Sequence, residues 1–138
     1  MKIINVNEIK FKQSILDLLK QMPNKFENSS QEELSLWLDT NLGNVDFGCW
    51  IAMDLSPVGL IVCRVVNPQN VFVSFWYVSK QIDGIDVAGK LLKSVEEWSK
   101  SKGIHKLIGE TVRLQNTKAF LRKYNIKVDK ILISKEIL

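Results

Sequence analysis

The order of hydrophobic patterns along this 138-residue chain predicts an α/β fold: an antiparallel meander plus one βαβ crossover in a mixed sheet, with helices on both faces. Three observations carry that expectation. Two amphipathic segments open the chain, three β-branched and aromatic runs follow one another in its middle, and a strand, helix, strand sequence comes after them.

Phe11, Ile15, Leu18, Leu19 and Met22 recur at helical spacing and stop at Pro23, which predicts a helix from about Lys10 to Gln21. A second helix is announced by Ser30-Gln31-Glu32-Glu33, which has the form of a capping box. In that motif the Ser oxygen and the Glu carboxylate satisfy amides that the first helical turn leaves unpaired. Leu34, Trp37, Leu38 and Leu42 then form one face, and Gly43 closes it.

The middle of the chain changes period. Cys49 to Leu55, Val58 to Val66 and Val71 to Val78 read as three antiparallel strands, with Ser56-Pro57 and Asn67-Pro68-Gln69-Asn70 between them. The last run is apolar on both faces, as expected of a central strand covered on both sides. Val87, Leu91, Leu92, Val95 and Trp98 mark a helix from about Val87 to Lys102 ending at Gly103, and Lys106 to Gly109 forms the next strand. The connection between these two strands is long enough for a right-handed parallel crossover. A short helix over about 117–124, Asn125 in a left-handed conformation and a final strand over 127–135 complete the expected layout.

Length and composition predict one domain over residues 1–138. With 46% apolar and 25% charged residues, seven Gly and three Pro, no stretch reads as a linker or a low-complexity tail. Only fraying is expected at the two ends. The start Met1-Lys2-Ile3-Ile4-Asn5 has no long apolar region, and no run approaches the length of a membrane span, so a cytoplasmic protein without a membrane partner is expected. Cys49 and Cys63 both sit in apolar runs and read as small buried hydrophobes rather than a disulfide. One His and no Cys-x-x-Cys pair leave little material for a metal site.

Nineteen basic against fifteen acidic residues give a net charge of +4, which mildly favours anionic partners. The lysines are dispersed, however. No strand interleaves aromatic and basic residues as a nucleic-acid platform would, and the cluster Lys118, Arg122, Lys123 reads as a solvated helix face.

Three segments carry a resemblance. Tyr77-Val78-Ser79-Lys80-Gln81-Ile82-Asp83-Gly84-Ile85-Asp86-Val87-Ala88-Gly89-Lys90 is similar to a strand, pyrophosphate loop and helix start. Val95 through Ile104 is similar to the rest of that helix, and Phe120 to Val128 to a last helix entering a final strand. Together they resemble the GCN5-related N-acetyltransferases, and the first half of the chain shares that family's layout.

The resemblance implies acetyl-coenzyme A as cofactor and a small or protein amine as acceptor. The coenzyme is then expected along Tyr77 and Val78. Its pyrophosphate falls on the loop and helix start supplied by Lys80, Gly84, Ile85, Val87, Ala88, Gly89 and Lys90, where unpaired amides and the helix dipole favour an anion. Asn116 matches a family Asn that opens the last helix and often contacts the coenzyme, a helix cap being the simpler role. Of the family's loop pattern only Ala88 is kept. Asp83 and Asp86 stand where a basic or amide side chain and a glycine belong, and a register through Gln81, Gly84 and Asp86 fits no better. Asp86 reads more simply as an N-cap.

For catalysis the resemblance requires a base and usually a tyrosine acid. Glu110 is the best-placed base. Leu121 occupies the tyrosine's place and Tyr124 lies one turn on, where a buried anchor is its simpler reading. His105 is expected to be exposed. Trp50, Trp76, Phe72 and Tyr77 read as core residues. Two functions follow: an N-acetyltransferase of unidentified acceptor, or an inactive binding or assembly module of the same fold, as in compact acetyltransferase-like proteins of bacteriophages, with a protein partner or a second copy.

Overall fold

A computed structural model describes residues 1–21, 30–79, 84–109, 119 and 122–126. Met1–Ile108 and Gly109–Leu138 form two compact units. Along the chain the order is β1 (Lys2–Asn5), a short 3-10 turn (Ile9–Phe11), α1 (Lys12–Gln21), α2 (Gln31–Asn41), β2 (Phe47–Asp54), β3 (Ser56–Asn67), β4 (Asn70–Val78), α3 (Val87–Ser101) and β5 (Leu107–Gly109).

The five strands lie in the order β1-β2-β3-β4-β5. The first three pairings are antiparallel. At the fourth, the Val71 amide donates to the Lys106 carbonyl at 3.0 Å, so the starts of β4 and β5 lie together, as a parallel pair joined through α3 requires. The mixed sheet is the predicted one.

Alternation along the strands sorts the core onto two faces. Cys49 and Ile51 of β2 with Leu60 and Val62 of β3 pack against Ile15, Leu18, Leu19 and Leu38 of α1 and α2. Trp50, Ala52, Ile61 and Cys63 turn to the other face, against Val87, Leu91 and Val95 of α3. Helices therefore cover both faces. The expected caps are present: Ser30 Oγ accepts the Glu33 amide at 3.1 Å, and Gly43 and Gly103 close their helices at φ +89° and +73°.

Three details depart from the sequence expectation. The N-terminal residues, expected only to fray, form β1, which pairs through Ile3 and Ile4 with Ala52 and Ile51. Two β-branched residues were too short a run to stand out from a loop. Ser56-Pro57 does not separate β2 from β3; both residues belong to β3, and the reversal is made at the fully exposed Leu55 with φ +64°. Proline is tolerated there because it begins a strand. Finally, β4 is interior in strand order but mostly half-buried, while β2 and β3 are the strands buried on both sides.

A bulge shapes β4. Val62 pairs with Phe75 and Cys63 with Val73, which leaves Ser74 as the extra residue. Val71 and Val73 before it, and Trp76 and Val78 after it, consequently all face α3, whereas Phe75 faces α1 and α2. Without the bulge, Trp76 would point to the opposite face.

In the second unit, Arg122 and Lys123 are helical and Asn125 takes φ +55°, with its amide on the Arg122 carbonyl at 3.2 Å. This is the left-handed Asn the sequence predicts. The final strand expected over 127–135 lies outside the described residues.

Candidate functional site

The site suggested by the sequence lies where β4 ends and α3 begins. β4 terminates at Ser79, whose amide and hydroxyl both donate to the Val58 carbonyl, at 2.8 and 2.9 Å. At Gly84, before α3, φ is +76° with nothing within 4 Å of a Cβ built there, which suits a residue without a side chain.

The first turn of α3 is seated closely on the sheet. A Cβ on Gly59 of β3 would stand 3.1 Å from Leu91 Cδ1, 3.1 Å from the Tyr77 carbonyl oxygen and 3.4 Å from Val87 Cγ1, so glycine is what lets the helix approach. The indole N–H of Trp76 donates to the Ala88 carbonyl at 3.2 Å. The side chains of Val87 and Ala88 are both buried, Val87 within the α3-side core. In a first turn the amides of Val87 and Ala88 have no partner within the helix. Lys90 is exposed on the same turn.

Asp86 performs the capping role read from the sequence. Its Oδ1 accepts the Gly89 amide at 2.9 Å, while its carbonyl accepts from Lys90 at 3.1 Å. The Gly89 amide therefore already has a carboxylate oxygen as its acceptor, as an N-cap provides.

Along β4, Tyr77 and Val78 are half-buried on opposite faces, and the Tyr77 hydroxyl donates to the Gln21 carbonyl at the end of α1 at 3.1 Å. Trp37 of α2 meets Phe75 and Phe47 edge-on, both at 5.5 Å. Ile85 packs against the α3-side core. The structure thus brings Tyr77, Val78, Gly84, Ile85, Val87, Ala88, Gly89 and Lys90 together around one strand end and one helix start. Lys80, Asp83, Glu110, Asn116 and Leu121 lie outside the described residues. Tyr124, in the second unit, is half-buried with the Lys123 ammonium 5.4 Å from its ring centre. His105 is exposed, as expected.

Sequence reasoning missed two residues that build this corner. Gly59 carried a usable signal, since a glycine inside an apolar strand marks a close approach. Trp76 was read as core, and nothing in the sequence names Ala88 as its partner. Among the described residues no group of acidic, His or Cys side chains is arranged to hold a metal, and no helix is long and apolar enough to cross a membrane.

The profile of the Acetyltransferase (GNAT) family matches residues 12–124. The chain belongs to that family. Solved structures share its fold at low identity. An aminoglycoside acetyltransferase, AAC(6')-Iy, in complex with the bisubstrate analogue CoA-S-monomethyl-acetylneamine, superposes with a TM-score of 0.82 at 16% identity, over 99% of this chain and 97% of the other. A Trypanosoma brucei acetyltransferase gives 0.72 at 16% identity over 99% of both chains. The aminoglycoside acetyltransferase meta-AAC0020 from an uncultured soil metagenomic sample, in complex with sisomicin, gives 0.70 at 15% identity over 99% and 95%. No curated protein matches by sequence. The GNAT fold expected from three sequence segments is therefore the fold of the chain.

Proposed function

We propose that this GNAT protein is an acetyl-coenzyme A-dependent N-acetyltransferase whose functional unit is the whole chain, 1–138, and whose acceptor is a small or protein amine. The observation that carries the reading is the seating of the first turn of α3 beside the end of β4, where the Gly89 amide already takes a carboxylate oxygen as its acceptor. Bound acetyl-coenzyme A would supply an acetyl group activated as a thioester.

In this reading Tyr77 and Val78 line the pantetheine arm. The amides of Val87, Ala88 and Gly89 face the pyrophosphate, Gly84 and Ile85 shape the loop, and Lys80 and Lys90 add positive charge. Asn116 is a further coenzyme contact. Glu110 takes the amine's proton, directly or through one water. Leu121 cannot return a proton to the departing thiolate, so Tyr124 or solvent does so.

A ligand that binds only the folded protein raises its melting temperature. Acetyl-coenzyme A is expected to do so here, and a melting temperature unmoved at millimolar coenzyme would sink the proposal.

A second reading, an inactive module of the same fold, is favoured by the Asp86 carboxylate on the Gly89 amide. Thiol release over a panel of amines separates the two: coenzyme binding without release in any condition supports the module.

A further inference from the structure

The Ala88 carbonyl and the Gly89 amide belong to one peptide group, and that group is gripped at both ends. Trp76 Nε1 donates to the carbonyl at 3.2 Å, and the amide donates to Asp86 Oδ1 at 2.9 Å. A helical carbonyl at this position already faces the amide four residues on, so the indole bond is additional to the helix's own ladder. A donor on the carbonyl polarises the peptide and strengthens its N–H toward an anion.

The grip is rigid. Trp76 lies on the α3-facing side of β4 because of the Ser74 bulge, and Gly59 lets Val87 and Leu91 close onto the sheet beside it. Asp86 reports what the arrangement is suited to, since a carboxylate oxygen already sits on the Gly89 amide.

We propose that Trp76 is a positioning residue for the coenzyme's phosphates. Through Ala88 it orients the 88–89 peptide so that the Gly89 amide meets an oxyanion, Asp86 in the unliganded protein and a coenzyme phosphate oxygen in the loaded one. The inference rests on the coenzyme reading above. Orientation set before binding removes an ordering cost from association.

The test uses ¹⁵N-labelled protein titrated with coenzyme A and, separately, with pantetheine, which has no phosphate. The Trp76 indole and Gly89 amide resonances are expected to move together with coenzyme A and the Gly89 amide to stay in place with pantetheine, while the Trp50 and Trp98 indoles stay in place with both. Trp76→Phe is expected to weaken coenzyme A by at most about fivefold, the bound set by one net hydrogen bond that is made in both states, and to leave pantetheine unchanged. Trp98→Phe, whose ring packs on Trp50, leaves both unchanged.

If no resonance in the protein responds to coenzyme A, the coenzyme reading fails and takes this inference with it. If coenzyme A binds while the Trp76 and Gly89 signals stay still, or if Trp76→Phe loses both ligands equally, the coenzyme reading survives and the positioning role is overturned. The wild-type titration decides the matter even where the variant does not fold.

Discussion

Gly59 lies so close beneath Leu91 that a Cβ on the glycine would stand 3.1 Å from Leu91 Cδ1. The same Cβ would stand 3.1 Å from the Tyr77 carbonyl oxygen, part of the sheet itself. Leu91 is able to turn aside; the β4 backbone is not. Gly59→Ala is therefore expected to destabilise the protein by about 1–3 kcal/mol, the usual cost of overpacking, and to lift the start of α3 from β4. Denaturant unfolding with a coenzyme titration on the folded variant checks both effects. A stability equal to wild type would show that the helix has room to move.

The Asp86 carboxylate caps α3 through the Gly89 amide at 2.9 Å, and on the coenzyme reading a phosphate would compete for that amide. Asp86→Gly is expected to cost only a few tenths of a kcal/mol, because glycine also serves at an N-cap, whereas Asp86→Ala costs about 1 kcal/mol. Coenzyme affinity should rise in Asp86→Gly, and further with Asp83→Arg, as charges that repel a phosphate are removed. Calorimetric titration of the wild type and both variants decides it; tight wild-type binding unimproved by either change would refute the competition.

The two thiols predict a pH response. Cys49 belongs to the α1/α2-side cluster and Cys63 to the α3-side cluster, so their side chains leave the sheet on opposite faces and no disulfide joins them. Burial pushes the Cys63 thiol up to about 12, against weaker lowering by a Gly48 backbone hydrogen bond and the Lys102 ammonium. Cys49 is raised above its ordinary value of 9.0 as well, first by burial and then by Cys63. Both thiols stay neutral in the folded chain while the unfolded chain ionises above pH 9.0. Their contribution to stability is complete below that pH and is lost as pH rises from 9 toward 12. Other groups titrate in the same window, so the quantity to measure is the slope of stability against pH for the wild type minus that for Cys49→Ala with Cys63→Ala. A zero difference would mean that the thiols reach solvent in the native state. Native-state alkylation at pH 8 should correspondingly be slow at both positions.

Turnover is expected to depend on Glu110, with Glu110→Gln lowering thiol release by about 10²–10⁴-fold, the range for a general base. Tyr124→Phe should have a smaller effect. Leu121→Tyr should raise the rate, by placing a proton donor where the resemblance to the family expects a tyrosine. A fast wild type crippled by Tyr124→Phe alone would instead place Tyr124 in the acid's role.

Residues whose partners lie close in sequence were legible without coordinates. Ser30 caps Glu33, Asp86 caps Gly89, Gly43 and Gly103 end helices, and Asn125 turns left-handed; each is decided within one or two turns of chain. The helical period of Val87, Leu91 and Val95 likewise announced the face that α3 buries. From these local signals came the layout, and from the layout the family.

Long-range encounters were not legible. The short run Ile3-Ile4 becomes a strand only because Ala52 and Ile51 of β2 offer it an edge. Pro57 became part of a strand because Leu55 took the reversal on itself. Most consequentially, Ser74 bulges out of register with β3 and turns Trp76 toward α3, where its indole reaches Ala88. One inserted residue reverses which face every later side chain occupies, and only the pairing with β3 determines where it is inserted. Sequence alone therefore determined the helices, the three-strand meander and the caps at the helix ends, but not the edge strand β1. Tertiary structure decided how closely Gly59 lets α3 approach the sheet and which side chain holds the peptide at the head of that helix, because both depend on atoms brought together from distant parts of the chain.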